Sequence, residues 1–224
     1  MEIIKVHNIY KNYHLGETII EALKGVDLSL ETGDFTALIG ASGSGKSTLL
    51  NLLGCLDRPD SGQIIIDNLD VTQLNEDQLD HLRNRKLGFI FQSFNLIPVL
   101  SAYENIELPL LIQNDINDKE RKERVLEALN DVDILKFKDH KPDKLSGGQR
   151  QRAAIARCLV THPSIILADE PTANLDSKTA HMVIDLLIDL NKKKKVTFLF
   201  CTHDEKLIGR VGRIIKIQDG LITS

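Results

Sequence analysis

The stretch Gly40-Ala41-Ser42-Gly43-Ser44-Gly45-Lys46-Ser47 limits what this chain can fold into more than any other part of it. It fits the spacing G-x-x-x-x-G-K-[ST] at every fixed position. An apolar run of strand character, Phe35–Ile39, precedes it, and a helical pattern, Ser47–Leu56, follows. Glycines in such a turn let the backbone curl until successive N–H groups point at one anion. The helix start adds its own unpaired N–H groups and a partial positive charge. Lys46 can bridge the outer phosphates of a nucleotide, and the Ser47 hydroxyl can ligate Mg²⁺. The candidate phosphate-binding residues are therefore Gly40, Ala41, Ser42, Gly43, Ser44, Gly45, Lys46, Ser47 and Thr48. The plainer alternative is a glycine-rich turn without a ligand, and both flanks argue against it.

Short apolar runs recur at Ile3–Val6, Phe35–Ile39, Ile64–Ile66, Leu87–Phe91, Ile165–Ala168, Thr197–Cys201 and Ile214–Ile217. Several are apolar at nearly every position, as expected of strands covered on both faces. Helical patterns lie between them, including Ser177–Leu190 with Val183, Leu186, Leu187 and Leu190 on one face. Strands alternating with helices predict a largely parallel α/β sheet. From Asn75 to Val160 helical signals dominate. Asn75 with Gln78, Asn117 with Glu120, and Ser146 with Gln149 have the spacing of capping boxes. The expectation is one domain over 1–224, with a core at about 1–91 and 162–224 and an inserted helical lobe at about 92–161.

A chain of 224 residues is ample for such a core, and its net charge of −4 gives no reason to expect nucleic acid as a partner. No apolar run approaches the roughly 18–20 residues that span a bilayer. Met1-Glu2-Ile3-Ile4-Lys5 lacks the pattern of a signal peptide. Cys55, Cys158 and Cys201 lie far apart among apolar neighbours, which reads as buried packing in a reduced, cytosolic protein.

Ile165-Ile166-Leu167-Ala168-Asp169-Glu170 is the natural partner of the loop. A buried strand ending in two acids delivers carboxylates to the phosphate edge of a parallel sheet. Asp169 would orient Mg²⁺ or its waters, and Glu170 would accept a proton from an attacking water. An acidic helix cap after a core strand is the bland alternative. Loop and acids together point to a nucleoside triphosphatase.

Leu145-Ser146-Gly147-Gly148-Gln149 is a second helix start able to meet an anion, with Ser146 as cap and two glycines baring the backbone. One nucleotide does not need two such cradles from one chain. The string resembles the signature of the ABC ATPase family, which reads the same five residues. The resemblance covers essentially the whole chain. It implies a P-loop NTPase fold with a mainly parallel core sheet, a small antiparallel β part and an inserted α-helical lobe. It implies ATP and Mg²⁺ as ligands, and a head-to-tail homodimer in which Ser146, Gly147, Gly148 and Gln149 contact the γ-phosphate held by the other copy. Tyr13 matches the aromatic residue that stacks on adenine, although alone it reads as a half-exposed tyrosine near a strand end. Gln92 matches the glutamine that reaches Mg²⁺ and the attacking water. Ala173-Asn174-Leu175-Asp176 resembles the loop whose aspartate, Asp176, communicates across the dimer, and His203 matches the switch histidine at the γ-phosphate. By this likeness Glu170, His203, Gln92 and Lys46 are catalytic, and Ser47, Gln92 and Asp169 hold the metal.

Gly54-Cys55-Leu56-Asp57-Arg58-Pro59 and the run Gly88–Pro98 look like the ATPases of macrolide-efflux and lipoprotein-release systems. That likeness implies a separate integral-membrane permease, with this subunit peripheral on the cytoplasmic face. The runner-up is a non-transport relative that signals through a membrane partner in cell division or cell-wall remodelling. Ser93–Leu111, rich in Phe94, Leu96, Ile97, Val99, Leu100 and Ile106, is the expected docking segment, testable by charge reversal at Glu104 or Glu107. Lys192–Lys195 reads as a solvated helix end. Arg150, Arg152 and Arg157 read equally as phosphate or acidic-loop contacts and as an exposed helix face.

Overall fold

The computed structural model describes residues 1–202 and 208–223. In chain order its strands are β1 (Glu2–Leu15), β2 (Thr18–Glu31), β3 (Phe35–Ile39), β4 (Ser61–Ile66), β5 (Leu69–Asp70), β6 (Leu87–Ile90), β7 (Ile165–Asp169), β8 (Thr197–Cys201), β9 (Arg213–Gln218) and β10 (Leu221–Ile222). The helices are α1 (Lys46–Leu53), α2 (Glu76–Lys86), α3 (Ala102–Leu111), α4 (Asp118–Asp131), α5 (Gly147–Leu159) and α6 (Ser177–Lys194).

Two sheets share the strands. One has the order β10-β9-β3-β8-β7-β6, parallel from β9 to β6, with β10 antiparallel at one edge. The other is antiparallel, in the order β2-β1-β4-β5. The central strands are apolar throughout because both of their faces are covered. Ile166 and Ala168 on β7, with Phe198 and Phe200 on β8, pack toward residues of α3 to α6. Their alternates Ile165, Leu167, Leu199 and Cys201 pack toward α1 and the antiparallel sheet. Each fully buried aliphatic or aromatic side chain contributes roughly 1.5–3 kcal/mol relative to exposure. The mixed α/β fold expected from the motifs is the fold observed.

Three local expectations change. The antiparallel strands extend well beyond Ile3–Val6, and β2 was not foreseen. It buries only alternate or irregular positions (Leu23, Val26, Leu28, Leu30), and its pairing with β1 carries several register shifts, so no continuous apolar run marks it. Helix α1 stops at Leu53, three residues short of Leu56, where Gly54 caps it and Cys55 turns left-handed at φ 55°. Reciprocal capping boxes form at Asn75/Gln78 and Ser146/Gln149, and a further one at Ser101/Glu104. Asn117 caps Glu120 N–H at 3.0 Å without the return bond, because the Glu120 carboxylate is taken by Arg124 at 2.5 Å.

The arginines of α5 follow neither sequence reading. Arg157 donates to the carbonyls of Phe94 and Asn95 at 2.9 and 2.5 Å, and Arg152 to that of Val132 at 2.7 Å. Arg150 lies over the Phe94 ring, 5.4 Å from its centroid. Lys194 is not a solvated cation, because it pairs with Glu127 at 2.8 Å and Asp131 at 2.7 Å. Within Ser93–Leu111, Ile106 is fully buried whereas Val99 is 70% and Ile97 41% exposed, so only part of the run is free to meet a partner. Glu104 caps α3 and Glu107 pairs with Arg121 at 3.0 Å, which makes both poor sites for a docking test.

Candidate functional site

Strand β3 delivers the loop and α1 receives it. The cap of α1 is Gly45 at φ 105°, a conformation that side chains disfavour, and no side chain bonds to the N–H groups of its first turn. A Cβ on Gly45 would also meet the Ala22 carbonyl at 2.6 Å. Lys46 is buried, and its ammonium donates to the carbonyls of Gly40 and Ala41, both at 2.9 Å. An ammonium has three protons, and these bonds use two. A cleft of about 580 Å³ opens here. Its walls are Tyr13, Ile20, Glu21 and Ala22 from β1 and β2, Gly40, Ser42, Gly43, Gly45, Lys46, Ser47 and Thr48 from the loop and α1, and Glu170. Ser44 is buried beneath, with its N–H on the Ala41 carbonyl at 3.2 Å, and Ala41 faces solvent.

Asp169 ends β7 beside Cys201, its register partner on β8. Glu170 follows at φ 47°, in the left-handed region, with its N–H on the Cys201 carbonyl at 3.2 Å. A non-glycine residue holds that conformation only where its surroundings over-determine it, a condition that clusters at functional sites. Burial pushes the Cys201 thiol well up, the negative charges of Asp169 and Glu170 add to this, and Lys46 opposes it. The two acids and the lysine thus share one electrostatic neighbourhood.

The other expected residues sit elsewhere. Gln92 is exposed just past β6, does not line the cleft, and accepts at its carbonyl from Asn174 Nδ2 at 2.9 Å. Ser146 and Gln149 bond each other at the start of α5, outside the cleft lining. Gly147 and Gly148 pack there against the α6 start: a Cβ on Gly148 would lie 2.6 Å from Thr179 Cγ2. Asp176 caps α6 through the Thr179 N–H at 3.0 Å and hydroxyl at 2.6 Å, bonds that hold its carboxyl below the usual carboxylate range. His203 lies outside the described residues. A larger groove of about 660 Å³, between α2, β6, the end of α3 and α5, is lined by Gly88, Phe89, Phe91 and Asn95 of the run Gly88–Pro98 and by none of the candidate nucleotide or metal residues. Among the described residues no group of three or more His, Cys, Asp or Glu is arranged to hold a metal ion by itself.

The family model described as ABC transporter matches residues 23–173, which include the loop, the signature string and both acids. The chain belongs to the ABC transporter family. It is an ATP-binding cassette, an ATPase. The cassette is 48% identical to MJ0796 of Methanocaldococcus jannaschii, an uncharacterized ABC transporter ATP-binding protein, over 97% of this chain and 94% of that one. MJ0796 has been solved as a dimer in a post-hydrolysis state bound to ADP and Pi; the match has a TM-score of 0.90 at 46% identity and covers 99% of this chain and 97% of that one. The lipoprotein-releasing system ATP-binding protein LolD of Legionella pneumophila is 46% identical over 97% of the cassette and 96% of LolD. The macrolide export ATP-binding/permease protein MacB of Syntrophobacter fumaroxidans is 46% identical over 99% of the cassette, which spans 31% of MacB. The macrolide-efflux and lipoprotein-release likeness read from the sequence agrees with these relatives.

Sequence reasoning missed several residues that wall the cassette's cleft or brace the elements beside it. Ile20, Glu21 and Ala22 wall the cleft from β2, a strand that no run signalled. Gln151, fully buried, donates from Nε2 to the Pro171 carbonyl at 2.7 Å and so ties α5 to the residue after Glu170. Its position two residues past the signature string was the available signal.

Proposed function

We propose that two copies of this cassette close head to tail on two ATP molecules and drive an integral-membrane permease of the macrolide-export or lipoprotein-release type. The observation that carries this reading is the separation of two anion-capable helix starts. The cleft is walled by Gly40–Thr48, and Ser146–Gln149 lies outside it, free to complete a second copy's site. The dimeric form of MJ0796 supports it.

In this reading Tyr13 walls the base, and the N–H groups of Gly40–Thr48 with Lys46 hold the phosphates. Glu170 takes a proton from water, with Gln92 and His203 orienting water and γ-phosphate. Asp176 communicates across the dimer. Ser47, exposed in the cleft, and Asp169, at the end of β7, which β8 separates from β3, offer the oxygen ligands a hard cation requires, and Gln92 would add a third. A Mg²⁺ ion shared with substrate phosphates would neutralise charge on their oxygens. Positioning and fixed donors do most of the remaining work.

The stretch 92–161 would act as a helical lobe on a core of 1–91 and 162–224. A permease segment would dock along the exposed Ile97 and Val99 and the groove lined by Phe91, Pro109 and Ile112. Among the described residues no helix is long and apolar enough to cross a membrane, so attachment to the cytoplasmic face would come through that partner.

The test is Glu170→Gln with saturating Mg-ATP. The variant is expected to lose turnover and to elute as a dimer in size-exclusion chromatography. A variant that stays monomeric would refute the sandwich.

A further inference from the structure

Tyr13 is held from outside the cleft that it lines. Its hydroxyl donates to Asp57 Oδ2 at 2.9 Å. Asp57 Oδ1 accepts from Lys11 Nζ at 2.8 Å and from the Arg58 N–H at 2.7 Å. Lys11 Nζ donates also to the Arg58 carbonyl at 2.8 Å, lies 4.0 Å from Asp60 Oδ1, and sits 5.2 Å from the centroid of the Tyr13 ring. Asp60 Oδ2 accepts the Asn12 N–H at 2.7 Å. The segment that follows α1 is therefore tied to three consecutive residues of β1, with Tyr13 the last of them.

The charges in this network are committed. The Lys11 side chain is only 11% exposed, and an ammonium that deep needs a carboxylate partner. Burial opposes the charge on Asp57, but bonds from Lys11, the Arg58 N–H and Tyr13 outweigh it and hold the carboxyl below its usual range. The Tyr13 phenol is pushed up by burial and by Asp57. These bonds come in addition to the backbone ladder that joins β1 to β2 and β4. What the network adds is a fixed attitude for one aromatic ring in the wall of the cleft.

We infer that Asp57, held in place by Lys11, is a positioning residue that orders the Tyr13 ring and thereby sets the affinity for the base of the nucleotide. The inference rests on the reading of the Gly40–Thr48 cleft as the ATP site. A ring already held by its hydroxyl loses little rotamer freedom when a base stacks on it, so more of the stacking energy appears as affinity. The Thr48 side chain also bonds the Tyr13 phenol, so a disturbance here reaches α1 as well. Base and phosphate effects must therefore be separated.

Two ligands separate them: ATP, and inorganic tripolyphosphate, which has the phosphates without the base. Titration calorimetry on the full chain would give dissociation constants for wild type, Tyr13→Phe and Asp57→Asn. Each variant is expected to bind ATP about 3- to 10-fold more weakly, with tripolyphosphate changed by less than about twofold. Asp57→Asn takes from Lys11 its nearer carboxylate, leaving Asp60 at 4.0 Å, and if it fails to fold, Tyr13→Phe removes the Tyr13–Asp57 bond and leaves the Lys11–Asp57 pair intact. Equal weakening of both ligands, or no weakening of ATP, overturns the inference. A wild-type chain that binds neither ligand overturns the cleft assignment beneath it.

Discussion

The two helix starts that can meet a phosphate are built on opposite plans. At α1 no side chain serves as cap, Gly45 takes a φ of 105°, and the first-turn N–H groups face a walled cleft of about 580 Å³. At α5 a capping box takes up two N–H groups without any ligand: Ser146 and Gln149 exchange bonds at 2.8 and 3.3 Å, and neither residue lines that cleft. A start with its donors uncommitted depends on an anion to satisfy them. A start capped by its own side chains is held without a ligand, and the N–H groups that the box leaves over, those of Gly147 and Gly148, are what it can offer to something that arrives from outside. In the proposed sandwich, this difference would let one chain bind a nucleotide and still hold only part of a hydrolytic site.

The harshest test of this contrast is Lys46→Ala. It removes the ammonium of the α1 cradle and also the two bonds that close the loop onto the Gly40 and Ala41 carbonyls. Loss of one fixed donor at a reacting phosphoryl group is expected to lower turnover by about 10²–10³-fold, measured as steady-state phosphate release. Turnover within about tenfold of wild type would mean that the loop's backbone alone makes the site.

Next in size is Gly148→Ala. Here the glycine serves close packing, not a special backbone angle. Its missing Cβ leaves room for Thr179 Cγ2, which would otherwise be 2.6 Å away. Overpacking of this kind is expected to destabilise the fold by roughly 1–3 kcal/mol in urea unfolding. Thr179→Ser keeps the hydroxyl that bonds Asp176 and deletes the clashing methyl, so the double variant is expected to recover most of the loss. No recovery would show that the glycine is needed for something other than the α5–α6 contact.

These contrasts also show why some of the molecule was readable from its sequence and some was not. Gly40–Ser47 and Ser146–Gln149 are local: the chemistry and the backbone that carries it lie within one turn, so spacing suffices. The strands β3, β7 and β8 were legible because burial on both faces writes an unbroken apolar run. Strand β2 was not, since one face is wet and the pairing slips, yet it supplies three walls of the cleft. Lys11, Asp57 and Tyr13 are brought together across 44 residues of chain, and no spacing rule encodes such a contact. Arg157 read equally as a phosphate or acidic-loop contact and as part of an exposed helix face for the same reason: its partners are backbone carbonyls 62 and 63 residues away.

The smallest effect is expected at the capped start itself. Ser146→Ala deletes the side-chain acceptor for the Gln149 N–H, and cap deletions of this kind cost about 1 kcal/mol. For a chain of this size that corresponds to a fall in Tm of roughly 2–4 °C. Because Ser146 takes no part in the Gly40–Thr48 cleft, ATP affinity of the isolated variant, measured by calorimetry at concentrations where the chain is monomeric, is expected to equal that of wild type within about twofold. The result cuts both ways on the comparison. A lone chain whose ATP affinity dropped sharply with Ser146 would place the α5 start within reach of its own cleft, and the two starts would then be halves of one site, not of two. Unchanged affinity with a lowered Tm leaves the α5 start as a surface whose phosphate chemistry is available only to another copy.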